Sequence, residues 1–205
     1  DFNAGSNVRI VTNNNTMGSG NTLITANFSG AYIGTSSSYG NSFAVDLDND
    51  GYKDMIYTGL DAQANGVFKF ISIQKDTASS NRAGVKATAL TNNLDAVLTS
   101  KGISNVILSL GDINKDLKTD LVIMYDDDGN NSRRVGEVYM NTTDTTNKTI
   151  TFARNTSLSL PTLVNATIDL VDYNNDGLLD LAVSGSSQAT GQVFRIYQNK
   201  WVDSA

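Results

Sequence analysis

Three short stretches place oxygen-bearing side chains at one common spacing, and they limit what this chain can fold into. They are Asp46-Leu47-Asp48-Asn49-Asp50-Gly51-Tyr52-Lys53-Asp54, Asp112-Ile113-Asn114-Lys115-Asp116-Leu117-Lys118-Thr119-Asp120 and Asp172-Tyr173-Asn174-Asn175-Asp176-Gly177-Leu178-Leu179-Asp180. Positions one, three, five and nine are Asp or Asn in every copy, and position nine is always Asp. Position six is Gly51, Leu117 or Gly177. Each copy runs into an apolar stretch, at 55–57, 121–124 and 181–183. The copies start 66 and 60 residues apart, at Asp46, Asp112 and Asp172.

The residues between the copies favour strands. Asn, Ser, Thr and Gly are abundant, and all weaken helix interiors. The apolar segments are short, often alternating, and rich in Val, Ile, Tyr, Phe and Thr. Strands are expected at 7–12, 21–28, 42–45, 53–58, 67–73 and 84–90. A second series is expected at 105–110, 120–125, 136–141 and 149–153, and a third at 167–170, 180–184 and 192–197. Turns or polar loops separate them at 13–20, 30–40, 60–66, 75–83, 126–131 and 185–191.

Each unit therefore reads as a four-stranded antiparallel meander, strands A to D, with the acidic loop joining A to B. A lone sheet of this kind cannot bury both faces, so the units must stack. Radial stacking gives an all-β fold, the β-propeller, with typically 4–8 blades. The chain 1–205 reads as one propeller segment: a partial unit at about 1–40, whole units at 41–102 and 103–164, and a partial unit at 165–205. That is about three blades' worth of strands, and a six- or seven-bladed ring would need roughly twice the chain. The expectation is a piece of a larger propeller, supplied with further blades or completed by self-assembly. The last unit lacks a D strand and the first supplies only C and D, but a three-bladed ring closed that way would be unusually tight.

Why oxygens at one, three, five and nine? A tight loop turns alternate side chains inward, so the first three converge on one point. Position seven adds a backbone carbonyl, and position nine returns a carboxylate as the next strand begins. The candidate metal ligands are Asp46, Asp48, Asp50, Tyr52 (carbonyl) and Asp54; then Asp112, Asn114, Asp116, Lys118 (carbonyl) and Asp120; then Asp172, Asn174, Asp176, Leu178 (carbonyl) and Asp180. Hard oxygen donors without nitrogen or sulfur select Ca²⁺ or Mg²⁺, and flexible sites with many ligands favour Ca²⁺. Up to three Ca²⁺ ions are expected. An EF-hand opens the same way but needs a bidentate Glu at position twelve and flanking helices. Position twelve is Tyr57, Ile123 or Val183, and the flanks are strands, so the EF-hand is rejected. Asp, Asn and Gly also make ordinary turns; three copies that all end on Asp argue against that reading. Leu117 at a left-handed position costs roughly 1 kcal/mol, so the second site is expected to be weakest, and empty or differently shaped.

The FG-GAP repeat of integrin α-subunit propellers resembles the stretch Tyr39-Gly40 followed by Phe43-Ala44-Val45 and the first acidic loop. The related VCBS-type repeats of bacterial surface and secreted proteins are similar too. Tyr-Gly stands in for Phe-Gly. The Gly-Ala-Pro element is absent, and Thr58-Gly59 and Ser184-Gly185 occupy its place, which is nearer the VCBS form. The resemblance spans nearly the whole chain and implies a Ca²⁺-binding propeller outside the cytoplasm, secreted or at the cell surface. It says little about activity, because such propellers occur in adhesins, lectins, ligand-binding ectodomains and some enzymes.

Composition narrows the chemistry. The net charge of −6 argues against nucleic acid as a partner. Of 21 acidic residues, Glu137 is the one Glu, and ten of the Asp lie in the three loops. There is no Cys and no His, which excludes disulfides and removes the commonest general base and transition-metal ligand. No apolar run reaches the roughly 18 residues of a membrane helix, so no membrane span is expected. The opening Asp1-Phe2-Asn3 carries no leader pattern and suits a processed or excised piece.

Other candidates each have a plainer reading. Asp126-Asp127-Asp128 is a further cation site or, better, a solvated turn. A Ser nucleophile lacks a His. Glu137 lies in a strand with no evident partner for glycosidase chemistry. Tyr52, Tyr173, Phe194 and Trp201 could stack on sugars, but are expected mostly to fill the spaces between blades. Seven N-x-S/T sequons, at Asn14, Asn27, Asn130, Asn141, Asn147, Asn155 and Asn165, are about what so Asn-rich a chain gives by chance. The expected function is a calcium-binding, non-enzymatic module that binds an extracellular protein or glycan ligand. The alternatives are part of a secreted polysaccharide-acting enzyme, and an architectural repeat of a surface filament.

Overall fold

A computed structural model of the chain describes residues 9–13, 23–27, 41–60, 66–75, 85–94, 97–98, 104–126, 134–144, 146 and 149–201. The expected polar stretches at 13–20, 30–40, 60–66, 75–83 and 126–131 fall largely or wholly outside them, as do Tyr39, Gly40, Asn14, Asn130 and Asn147. The described chain is all-β, with antiparallel sheets of two to four strands. Strands β1 (Arg9–Asn13) and β2 (Leu23–Asn27) form a hairpin pair. Sheet I holds β3 (Asn41–Val45), β4 (Asp54–Leu60), β5 (Gly66–Lys75) and β6 (Val85–Ala89). Sheet II holds β7 (Ser104–Gly111), β8 (Asp120–Asp126), β9 (Arg134–Asn141) and β10 (Phe152–Asn155). Sheet III holds β11 (Val164–Val171), β12 (Asp180–Ser187) and β13 (Gly191–Tyr197). Strands are neighbours in chain order within each sheet, and among the described residues no sheet closes on itself.

The core explains the order of the layers. Successive strand residues point to opposite faces, and β8 is buried along its whole length. Leu121, Ile123 and Tyr125 face sheet I, where they join Leu47, Ile56 and Phe70. Val122 and Met124 face sheet III, where they join Leu163, Ala166, Leu181 and Val183. Sheet II is therefore the middle layer, and its second strand belongs to two cores at once. Phe70 of sheet I meets Phe152 of sheet II with ring centroids 5.7 Å apart.

Backbone contacts tie the layers at their edges. Arg134 and Leu163 exchange N–H···O bonds of 2.7 and 3.1 Å between β9 and the approach to β11. The Asn93 side chain donates to the Phe152 carbonyl and accepts its N–H, each at 2.9 Å. It thereby acts as a short extra strand beside β10. A helical turn follows, with Leu98 N–H on the Leu94 carbonyl, and buries both leucines. The sequence reading did not foresee that turn.

Several expectations need correction. Strand β10 starts at Phe152 rather than 149, because Thr149 pairs with Asp144 and Ile150 with Asn92 in isolated bridges. The turn expected at 185–191 shrinks to 188–190, since Gly185 to Ser187 and Gly191 stay in the β12–β13 ladder. Strand β11 starts three residues early, through an irregularity between Val164 and Thr167 where Asn165 has φ 49°. Asp126 is the buried last residue of β8, not part of a solvated turn. Tyr52, Tyr173, Phe194 and Trp201 are all exposed; other aromatics (Phe70, Tyr125, Tyr139 and Phe152) join the aliphatic side chains between sheets I and II. Asn141 is buried and hydrogen-bonded, so its sequon cannot serve as a glycan acceptor in the folded chain.

Truncating Ile123, fully buried between sheets I and II, leaves a cavity that two sheets must share. Ile123→Ala is expected to cost about 2–5 kcal/mol by urea denaturation, whereas Phe194→Ala on the exposed face of β13 should stay within about 0.5 kcal/mol. Similar losses at the two positions would contradict the layered core.

Candidate metal centres

The three acidic loops lie between the first two strands of sheets I, II and III. They share one hydrogen-bond pattern. The N–H of position five donates to the oxygens of positions one and three, at 3.2 and 3.2 Å in the first loop. The corresponding distances are 3.1 and 3.2 Å in the second, and 3.0 and 3.1 Å in the third. The N–H of position six reaches the other oxygen of position one at 2.9, 2.9 and 2.8 Å. The N–H of position seven reaches position five at 2.8, 2.9 and 2.8 Å. These are Asx-type turns, in which a side-chain oxygen caps a backbone donor further along the chain.

Two positions in each loop take positive φ. Position four is Asn49 (55°), Lys115 (59°) or Asn175 (61°), and position six is Gly51 (87°), Leu117 (66°) or Gly177 (82°). The second loop is thus not differently shaped, contrary to the expectation from Leu117. Leu117 adopts the left-handed conformation and its side chain is 82% exposed, so little contact offsets the strain.

Oxygens converge as the spacing requires. One ligand oxygen from each of Asp46, Asp48 and Asp50 lies within 4.8 Å of the others. The second and third loops replace the third-position carboxylate by an amide. Asn174 turns its nitrogen toward Asp176 Oδ2 and donates a hydrogen bond to it at 2.9 Å. All three first-loop side chains and the Tyr52 carbonyl are hard oxygen donors, so the first loop could hold a metal ion.

The ninth-position carboxylates lie deeper. Asp54, Asp120 and Asp180 are buried, and Asp54 is outside the Asp46–Asp48–Asp50 trio. Each accepts the N–H of its own position two: Leu47 at 2.9 Å, Ile113 at 2.8 Å and Tyr173 at 3.3 Å. Burial pushes the Asp54 carboxyl up to about 6; the Leu47 N–H opposes that rise, and the Asp48, Asp50 and Asp46 charges add to it. Burial likewise pushes Asp120 up to about 6, against two backbone N–H donors and with the Asp116 and Asp112 charges. A dication in the loop would counter this repulsion.

Two residues outside the nine-residue stretches belong to the site. Asn141 donates its backbone N–H to Asp120 Oδ1 at 2.7 Å and its side-chain N–H to the Leu47 carbonyl of the first loop at 3.0 Å. Asn199 repeats this, with its N–H on Asp180 Oδ1 at 2.7 Å and its amide on the Ile113 carbonyl of the second loop at 2.7 Å. The signal in the sequence is a second recurring motif, Tyr139-Met140-Asn141 and Tyr197-Gln198-Asn199.

Glu137 has partners after all: Arg154 Nη2 at 2.9 Å, and the Tyr139 hydroxyl, which donates to it at 2.7 Å. Burial and then Glu137 itself push the Tyr139 hydroxyl well above its usual range. Both partners are donors, as a structural ion pair requires, and neither is the second carboxylate that glycoside hydrolysis needs.

No family model, curated protein or solved structure matches this chain.

The equivalence of Gly51 and Leu117 carries a test. Leu117→Gly should stabilise the chain by up to about 1 kcal/mol and Gly51→Ala should destabilise it by about 1 kcal/mol, read as urea midpoints in chelator. Opposite signs would show that the loop conformation differs from the one described.

Proposed function

We infer that the chain is a calcium-binding, non-enzymatic β-propeller module of a secreted or cell-surface protein, acting in adhesion or in binding a protein or glycan ligand. One observation carries this reading. Three loops, separated by about sixty residues, keep one hydrogen-bond pattern and the same two positive-φ positions, although one copy must force Leu117 into that shape. Plain turns have many cheaper solutions. A loop that holds its inward oxygens in place despite strain and charge repulsion points to a ligand that repays both.

The first site would be built from Asp46, Asp48, Asp50, the Tyr52 carbonyl and Asp54. The others would use Asp112, Asn114, Asp116, the Lys118 carbonyl and Asp120, and Asp172, Asn174, Asp176, the Leu178 carbonyl and Asp180. The cation supplies charge neutralisation, and its role is structural: it pins the turn that opens each sheet. Loops of this kind in extracellular modules bind at about 10⁻⁴–10⁻³ M, so external calcium fills them and cytosolic calcium does not. Three ions would bring the net charge from −6 to zero.

The propeller assignment rests on the stacking of antiparallel meanders through both faces of sheet II. Sheet III supports the need for a further neighbour. It has three strands, and Phe194 and Ile196 stand exposed on one face of β13. The sequence has no His or Cys, and Arg154 holds Glu137, so among the described residues the binding reading is better supported than a catalytic one.

Calorimetric titration with calcium is expected to show binding at the millimolar scale or tighter, and excess chelator should lower the melting temperature by linkage. Asp50→Ala, which removes one of four carboxylates from the first loop, should lose more binding than Asp116→Ala in the strained second loop. An unchanged melting temperature in chelator would sink the calcium reading, and equal losses would sink the ranking.

A further inference from the structure

We propose that the three acidic loops do not fill independently: Asn141 and Asn199 couple each loop to the next, so that an ion in one raises the affinity of its neighbour. The proposal rests on the calcium-binding reading and adds a regulation to it.

The hydrogen bonds form an unbroken series through all three sheets. Asp54 holds the Leu47 N–H, and the Leu47 carbonyl holds the Asn141 amide. The Asn141 backbone N–H holds Asp120, and Asp120 holds the Ile113 N–H. The Ile113 carbonyl holds the Asn199 amide, and the Asn199 backbone N–H holds Asp180. Asp180 finally holds the Tyr173 N–H of the third loop. Each loop thus enters the series through its second residue, which sits between the ligand positions one and three. An ion that fixes positions one and three fixes that peptide, and with it the carbonyl that orients the next asparagine.

Each asparagine is also held from its other end. Asn141 Oδ1 accepts the Thr143 N–H and Asn199 Oδ1 accepts the Trp201 N–H, both at 3.0 Å. With both ends of the amide engaged, rotation of the side chain breaks two contacts at once. The first and second loops also touch directly, through the Asn49 amide on the Leu117 carbonyl at 3.0 Å. Lys115 of the second loop places its Nζ beside Gly177 of the third, 3.5 Å from where a Cβ there would stand.

Sheet I supplies an internal contrast. The β4–β5 and β8–β9 registers place Ile73 where sheet II has Asn141. Sheet I therefore has no amide at this register position.

Coupling of this kind works by shared ordering: the first ion meets the cost of fixing a peptide that the second would otherwise meet. Linkage makes it reciprocal. The test is a calorimetric cycle on the whole chain with calcium chloride. Disabling the first loop with Asp48→Asn and Asp50→Asn should lower the stoichiometry by one and weaken the remaining sites by about three- to tenfold, the worth of one hydrogen bond. In an Asn141→Ala background the same knock-out should lower the stoichiometry and weaken the remaining sites clearly less than in the wild-type background, because only the Asn49 contact to Leu117 then joins the first two loops. If Asn141→Ala does not fold, the matching cycle uses Asn199→Ala, at a part-buried site, with Asp172→Asn and Asp176→Asn. Remaining affinities that ignore the knock-out in the wild-type background overturn the coupling while leaving calcium binding intact. A wild-type chain that takes up no calcium overturns the underlying reading and the coupling with it.

Discussion

In sheets I, II and III the second strand begins on a buried carboxylate that accepts a backbone N–H from seven residues upstream, and the rest of the structure depends on that bond. Asp54, Asp120 and Asp180 lie at the first position of β4, β8 and β12, where they close a nine-residue loop upon itself. Burying a carboxylate is costly unless donors satisfy it. The cost is visible in the rise of Asp54 and Asp120 to about 6. Asp120 and Asp180 are each met by two N–H groups, one from their own loop and one from an asparagine at the end of the third strand (Asn141) or two residues past it (Asn199). Loop, second strand and end of third strand are therefore fixed together by one side chain.

Packing builds on this anchor. Because the carboxylate sets where β8 begins, it also sets which residues alternate inward. A slip of one residue would exchange Leu121, Ile123 and Tyr125 with Val122 and Met124 between the two cores. Within this packing of sheet II, Glu137 is paired with Arg154 and accepts the Tyr139 hydroxyl. The outer face of sheet III has no such constraint among the described residues, and there Phe194 and Ile196 remain exposed.

Much of this was legible in the sequence, and the parts that were not share a cause. Strand positions were readable because Val122 to Met124 or Val193 to Ile196 have few other uses. The loop shape was readable at Gly51 and Gly177, where glycine marks the positive φ, but misread at Leu117. There the identity of the residue argues for a different shape, while hydrogen bonds from the Leu117 and Lys118 N–H groups to Asp112 and Asp116 hold the same one. Tyr52 and Tyr173 were assigned to the interior because aromatics usually fill cores; their places in loop turns leave them exposed. Asn141 and Asn199 were missed because an asparagine after a strand ordinarily signals only a turn. Their partners lie 94 and 86 residues away, a distance that no local pattern reports.

The choice of asparagine at those two places follows from the charges around it. The position must donate to a carbonyl of the preceding loop and accept an N–H two residues on. Aspartate could accept but not donate, and it would set a further negative charge against a loop already crowded with carboxylates. Lysine could donate but not accept, and it would compete with a cation for the loop. At Asn141, leucine would leave a buried carbonyl and a buried N–H unmet, each costing about 1–3 kcal/mol. A neutral amide is the side chain that bridges two acidic loops without altering the charge of either.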